Sequence, residues 1–220
     1  MPTIKTARAW YPSGDAVHGF DHILRVYRLA ERIAQAEGAD LRVVRAAVLL
    51  HDVEGFPPST DPALTDELSE PRMTHHYSAA QFAAEHLRGE GWNDDDIAAV
   101  QHCIRAHRFR DGSEQPKTIE AQVLFDADKL DAIGAIGVAR AIAYAAQHGQ
   151  PAYVTPSEQF QRNGELEPGE SHSAYHEYLF KLRKLLSTMY TATGLALAEE
   201  RHRFMAAYFE RLESEIFGEC

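Results

Sequence analysis

The sequence predicts an all-α protein. Three observations carry that reading. Apolar residues recur at helical spacing nearly from end to end, cap and stop residues punctuate the pattern, and no alternating run is long enough for a convincing strand. The most strand-like fragment, Val123-Leu124-Phe125, is short and sits in helical context. The 220 residues suffice to bury a real core, and 45% apolar with 25% charged content is ordinary for a globular chain. With no internal repeat and no clear linker, a single domain over 1–220 is the expectation.

The elements follow in order. Residues 15–37 place Phe20, Ile23, Tyr27 and Ala34 on one face and Val26, Leu29 and Ile33 on an adjoining one. Gly38 stops that helix, and Asp40 caps the next, a short and very apolar one over 41–52. Residues 55–73, rich in proline and acids, read as a loop directly after His51-Asp52. Helical patterning returns at 74–90 and at 94–108, where Asn93 is the cap and acids fill the first turn. A polar turn at 109–117 leads into a long apolar stretch over 118–148, with Gly134 and Gly137 where close packing wants small residues. A second loop spans 149–172, and two more helices are expected at about 173–190 and 194–217.

Bulk properties exclude some functions. A net charge of −11 is poorly suited to gripping long nucleic acid, although a metal and a few cations can still set a local field for a small anion. No apolar run is long enough to span a membrane, and the N-terminal stretch lacks the core of a signal peptide. Only Cys103 and Cys220 are present, so no disulfide framework exists, and a reducing cytoplasm is the expected compartment.

Three fragments concentrate the chemistry. Val44, Ala47, Val48 and His51 share one stripe, so His51 continues a buried face at the end of its helix. Asp52 follows at the unfavourable end of the helix dipole, where a cation would compensate it. His22 shares a stripe with Val26, Leu29 and Ile33, flanked by Asp21 and Arg25. Asp128 stands in the most apolar helix, with Asp126 and Asp131 close by, and buried carboxylates of that density read as a cation site. Each residue alone is more often structural than catalytic. Together they are nitrogen and oxygen donors of the kind that hold divalent cations.

The order His, then His-Asp, then Asp, each on a separate apolar helix, resembles the HD-domain superfamily of metal-dependent phosphohydrolases. The text around His22 (HILRV), around His51 (AAVLLHD) and around Asp128 (DADKLDAIGAIGVAR) is similar to bacterial HD hydrolases of the nucleotide pyrophosphatase-like subgroup. The resemblance covers about residues 15–145, with the helices at about 173–217 as a C-terminal extension. It implies an HD-domain helical bundle and one divalent metal (manganese, magnesium, cobalt or nickel) on His22, His51, Asp52 and Asp128. The implied activity is hydrolysis of a nucleotide or related small phosphate ester by metal-activated water.

Other roles stay open at this level. Glu54 is a candidate to orient or deprotonate water, although many HD hydrolases place that glutamate one position later, where this chain has Gly55. Arg25, Arg105, His107 and Lys129 are candidates for the substrate side, and Asp131 and Asp21 for partners that orient the ligands. Some HD proteins hold two metals, which here would draw on His75 or His76 and on His102 or His107. That leaves a two-metal phosphodiesterase, a di-iron oxygenase and a non-catalytic nucleotide-binding module as alternatives. His86, His148, His172, His176 and His202 read as ordinary surface or loop residues, and the C-terminal helix leaves a homo-oligomer open.

Overall fold

The computed structural model describes residues 1–11, 19–53, 71–108 and 114–219. Among them the secondary structure is helical without strands. The α-helices are α1 (Ile4–Ala7), α2 (Phe20–Glu37), α3 (Leu41–Leu50), α4 (Pro71–Gly89), α5 (Asp94–Ala106), α6 (Ile119–Leu130), α7 (Gly134–Gln147), α8 (Glu158–Asn163), α9 (Ala174–Phe180) and α10 (Ala192–Ile216). Short 3-10 turns occupy Arg8–Trp10 and Leu182–Thr188. The all-α expectation holds. No helix among the described residues is long and apolar enough to cross a membrane.

The chain divides into two compact units: Met1–Asp128 with Tyr190–Gly194, and Lys129–Met189 with Leu195–Cys220. In the first, α3 packs on α2 and α5, and α4 packs on α5 and α3. Helix α3 is apolar except for Arg42 and Arg45, which pair with Asp96 and Glu31. Val43, Val44, Ala46, Ala47, Val48, Leu49 and Leu50 are all buried, which is the pattern of a helix enclosed by others. Each large apolar side chain withdrawn from water there contributes about 1.5–3 kcal/mol. The Asp40 carboxylate accepts from the amides of Arg42 and Val43, which fixes where α3 starts. At its other end the Tyr11 hydroxyl donates to the Leu49 carbonyl at 3.0 Å, one of the acceptors that a helix end leaves unpaired. Gly38, with φ 74°, turns the chain between α2 and α3 in a conformation that a side chain would strain.

Asp126 corrects one expectation. It is fully buried in α6, but it is no part of a cation site. Its carboxylate accepts from the Tyr190 amide at 2.9 Å, the Thr191 amide at 2.8 Å and the Thr191 hydroxyl at 2.7 Å. The Thr191 hydroxyl in turn accepts from the Gly194 amide, so Asp126 organises the start of α10.

In the second unit the apolar stretch expected to run continuously from 118 to 148 is broken between α6 and α7. Gly134, at φ 74°, supplies a backbone turn unavailable to most residues. Guanidinium groups take the carbonyls exposed by the break: Arg201 donates to Leu130 O, and Arg140 to both the carbonyl and the carboxylate of Asp131. Gly137 lets α7 approach Met205, whose methyl group would meet an added Cβ. The expected loop over 149–172 contains α8, and the helix expected over 173–190 is α9 followed by a 3-10 turn.

Candidate metal centre

His51 caps the C-terminus of α3 and has no exposed surface. Its Nδ1–H donates to the Val48 carbonyl at 2.8 Å, so the second ring nitrogen carries the lone pair in the neutral ring. Burial, aided by His107 and opposed by Asp52, pushes the His51 pKa down to about 4, so the ring is neutral at pH 7. Its Nε2 is buried and has no hydrogen-bond partner among the described residues. That nitrogen lies 3.5 Å from Asp52 Oδ2. A lone pair facing a carboxylate oxygen with no proton between them is repulsive, and burial removes the water that would relieve it.

Asp52 is the hub. Its Oδ2 faces His51 and, at 3.8 Å, His22 Nε2. His22, buried on α2, also lies 3.5 Å from Asp128 Oδ1. The four residues therefore come together from α2, the end of α3 and α6. Donor atoms of His22, His51 and Asp52 lie within 4.8 Å of one another. Ligand bonds of about 2.0–2.2 Å place neighbouring donors roughly 3–3.5 Å apart, so small movements bring this set onto one cation. Burial alone would raise the Asp52 pKa, but the charge His51 carries when protonated and the hydrogen bonds with His107 and His75 hold it well below the usual carboxylate range.

The other oxygen of Asp52 meets a second group of histidines. His75 Nε2 lies 3.0 Å and His107 Nε2 3.4 Å from Oδ1. The two rings are held differently. His107 donates Nδ1–H to the Ile104 carbonyl and, when neutral, presents its lone pair at Nε2, as His51 does. His75 Nδ1 instead faces Arg108 Nη1 at 3.1 Å. A guanidinium only donates, so His75 Nδ1 accepts, and its Nε2–H donates to Asp52. His76 is buried beside this group, 6.5 Å ring to ring from His107, and burial with the nearby rings of His107 and His75 pushes its pKa down to about 3.

The remaining candidates fall elsewhere. Asp21 pairs with Arg25 at 2.5 Å in the first turns of α2. His102 is not in the cluster: Nδ1 meets Glu114, and Nε2 accepts from the Lys117 amide. Arg105 pairs with the same Glu114. Lys129 follows Asp128 in α6 and is partly buried. Asp131 is buried, with Arg140 Nη1 on its carboxylate at 2.8 Å. Glu54 lies outside the described residues. Two features were missed in the sequence. Arg108 carried no signal beyond its place next to His107. His176, read as a surface residue, is fully buried in the second unit.

A model of the HD domain family matches residues 19–133. YpgQ of Bacillus subtilis is 34% identical over 204 residues, 91% of this chain and 85% of that protein. The crystal structure of YpgQ in complex with ADP is similar with a TM-score of 0.69 at 33% identity, covering 97% of this chain and 98% of that one. A crystal structure of a Lactobacillus plantarum protein gives a TM-score of 0.71 at 31% identity, covering 99% and 100%. The crystal structure of an HD-superfamily hydrolase from Bacillus thuringiensis gives 0.67 at 25% identity, covering 96% and 93%.

Proposed function

The chain belongs to the HD-domain family of metal-dependent hydrolases, and on that premise we propose that it hydrolyses a nucleotide or related small phosphate ester with one divalent cation held by His22, His51, Asp52 and Asp128. The observation that carries this reading is His51 Nε2, buried, without a hydrogen-bond partner among the described residues, and facing Asp52. Two imidazoles and two carboxylates suit manganese, magnesium, cobalt or nickel. The ADP bound by YpgQ, a relative of similar fold, supports a nucleotide as substrate.

Bound there, a divalent cation supplies Lewis acidity toward a phosphoryl oxygen and makes water more acidic. The chain's own residues set the geometry. The Val48 carbonyl fixes the His51 ring so that Nε2 points inward, and the His75 N–H holds Asp52 Oδ1, leaving Oδ2 turned toward His22 and His51. Arg108, by occupying His75 Nδ1, fixes the tautomer that makes this donation.

A second reading keeps the same scaffold with two cations, because Asp52, His75 and His107 also have donor atoms within 4.8 Å. The Arg108 guanidinium beside His75 opposes a second positive charge there. The test is a panel of nucleotides and phosphate esters assayed for phosphate or pyrophosphate release. Release that stops with chelator, returns with a divalent ion and is lost in His51→Ala supports the proposal. Equal turnover by His51→Ala and wild type contradicts it.

A further inference from the structure

The second unit contains a cavity of about 420 Å³, walled by α8, α9 and the 3-10 turn that follows, which shares no residue with the centre in the first unit. Its volume is that of a small-molecule site. Arg162, Arg183 and Lys184 line it, and the one acid on its wall is Glu213. That carboxylate is already engaged by the Tyr153 hydroxyl at 2.9 Å and the Tyr175 hydroxyl at 3.4 Å. Arg162, Arg183 and Lys184 have no carboxylate within salt-bridge distance among the described residues, although the chain carries 33 acids to 22 bases. Among the described residues Arg162 spends only Nε, on the Glu158 carbonyl, and its terminal nitrogens make no hydrogen bond. In an acidic chain, three cations around one concavity set a local field opposite to the global one.

The walls are built rather than collapsed. Gly164, at φ 80°, closes α8 and lies so tightly under the Phe180 ring that any Cβ would run into it. Lys184 Nζ sits 4.3 Å from the centre of that ring, which keeps the ammonium at the cavity. Behind α8, Ser157 is tied through Glu170 to the buried His176, so the first turn of this wall is anchored from inside. Phe180 and Tyr175 add aromatic surface next to the three cations.

We infer that this cavity binds a polyphosphate-bearing ligand, its phosphate oxygens on Arg162, Arg183 and Lys184. Two guanidinium groups and one ammonium match several anionic oxygens better than a single carboxylate. The ligand class covers inorganic polyphosphates and nucleoside polyphosphates, the latter adding a base for the aromatic surface.

The site stands independently of the proposed activity, and its test removes the first centre from the measurement. Full-length Asp52→Ala protein in chelator is titrated by calorimetry with inorganic pyrophosphate and, separately, with ADP. The same titrations are run on Asp52→Ala carrying Arg162→Ala and Arg183→Ala. Both arginines are exposed, and a thermal melt checks that the variant folds. Binding by the parent that weakens tenfold or more in the arginine variant, and weakens with added salt, supports the inference. A tenfold preference for ADP over pyrophosphate assigns the aromatic surface to a base, and equal affinities assign the site to phosphate groups alone; each result supports an anion site. No binding by the parent, or affinity unchanged by the two arginine substitutions, overturns it. Lys184→Met, tested alone, is expected to weaken binding less than the double variant. Unchanged binding in both variants counts against all three cations.

Discussion

Each unit buries a histidine beside a carboxylate, and the two differ in one respect. In the second unit His176 Nδ1 meets the Ser173 hydroxyl at 2.6 Å and Nε2 meets Glu170 Oε1 at 3.0 Å. Glu170 also accepts from the Ser157 amide, the Ser157 hydroxyl and the Glu167 amide. Both ring nitrogens have a partner, and the set joins α8 to α9. In the first unit His51 shares its fold position with Asp52, yet Nε2 has no partner among the described residues. The same residue types thus make a clasp in one place and, on the proposed function, a ligand set in the other. Completeness of hydrogen bonding, not burial or residue type, separates them.

The largest expected effect comes from removing the hub. Asp52→Ala should lower cation affinity by more than about 100-fold, the upper figure for losing a mere outer partner of a metal ligand. The loss should be visible as metal content after dialysis, and phosphate release should fall with it. Retained metal content would show that Asp52 is part of a clasp like Glu170. The converse substitution, His176→Ala, should cost about 2–4 kcal/mol of stability in a denaturant titration while leaving cation content unchanged. A loss of metal without loss of stability would reverse the assignment of the two histidines.

Acid should separate the units by pH. His51 is depressed from 6.5 to about 4 in the fold by burial, so the unfolded chain takes up its proton first. Its contribution to the stability of metal-free protein is present above pH 6.5 and is lost as pH falls toward 4. Glu170 is depressed from 4.5 to about 2 by its hydrogen bonds with His176 and the Ser157 amide. Its contribution is present above pH 4.5 and is lost as pH falls through about 2. Hydrogen exchange followed against pH on metal-free protein should show the α3 end loosening before α8 and α9. Loosening in the opposite order would contradict this account.

Smaller effects sharpen the picture. Arg108→Gln releases the constraint on His75 Nδ1, and cation affinity should fall about tenfold; unchanged affinity would mean that the His75 tautomer is set by something else. Asp126→Asn keeps the shape but weakens the acceptor at the start of α10, for about 1 kcal/mol of stability and no change in metal content.

Much of this was legible before the fold was known. His22, His51 and His107 are turned inward by apolar stripes at helical spacing, and that periodicity survives in the structure. That His102 is lost to the cluster was not legible, because it depends on Glu114 and Lys117 taking both of its ring nitrogens. Asp126 misled because its partners, Tyr190 and Thr191, lie more than sixty residues away. The break before α7 was hidden because the apolar pattern runs straight through it, while the guanidinium groups that stabilise it come from Arg140 and Arg201. His176 gave no signal because α9, at seven residues, is too short for a stripe. Periodicity reports which way a side chain faces; it does not report whether its polar atoms find partners.

The central claim is that the lone pair on His51 Nε2 belongs to a cation. The most direct measurement is elemental analysis of wild type and His51→Ala, each stripped, reloaded with one divalent ion and dialysed. The account predicts about one ion per chain in wild type and almost none in His51→Ala. Equal metal content in the two proteins would contradict it.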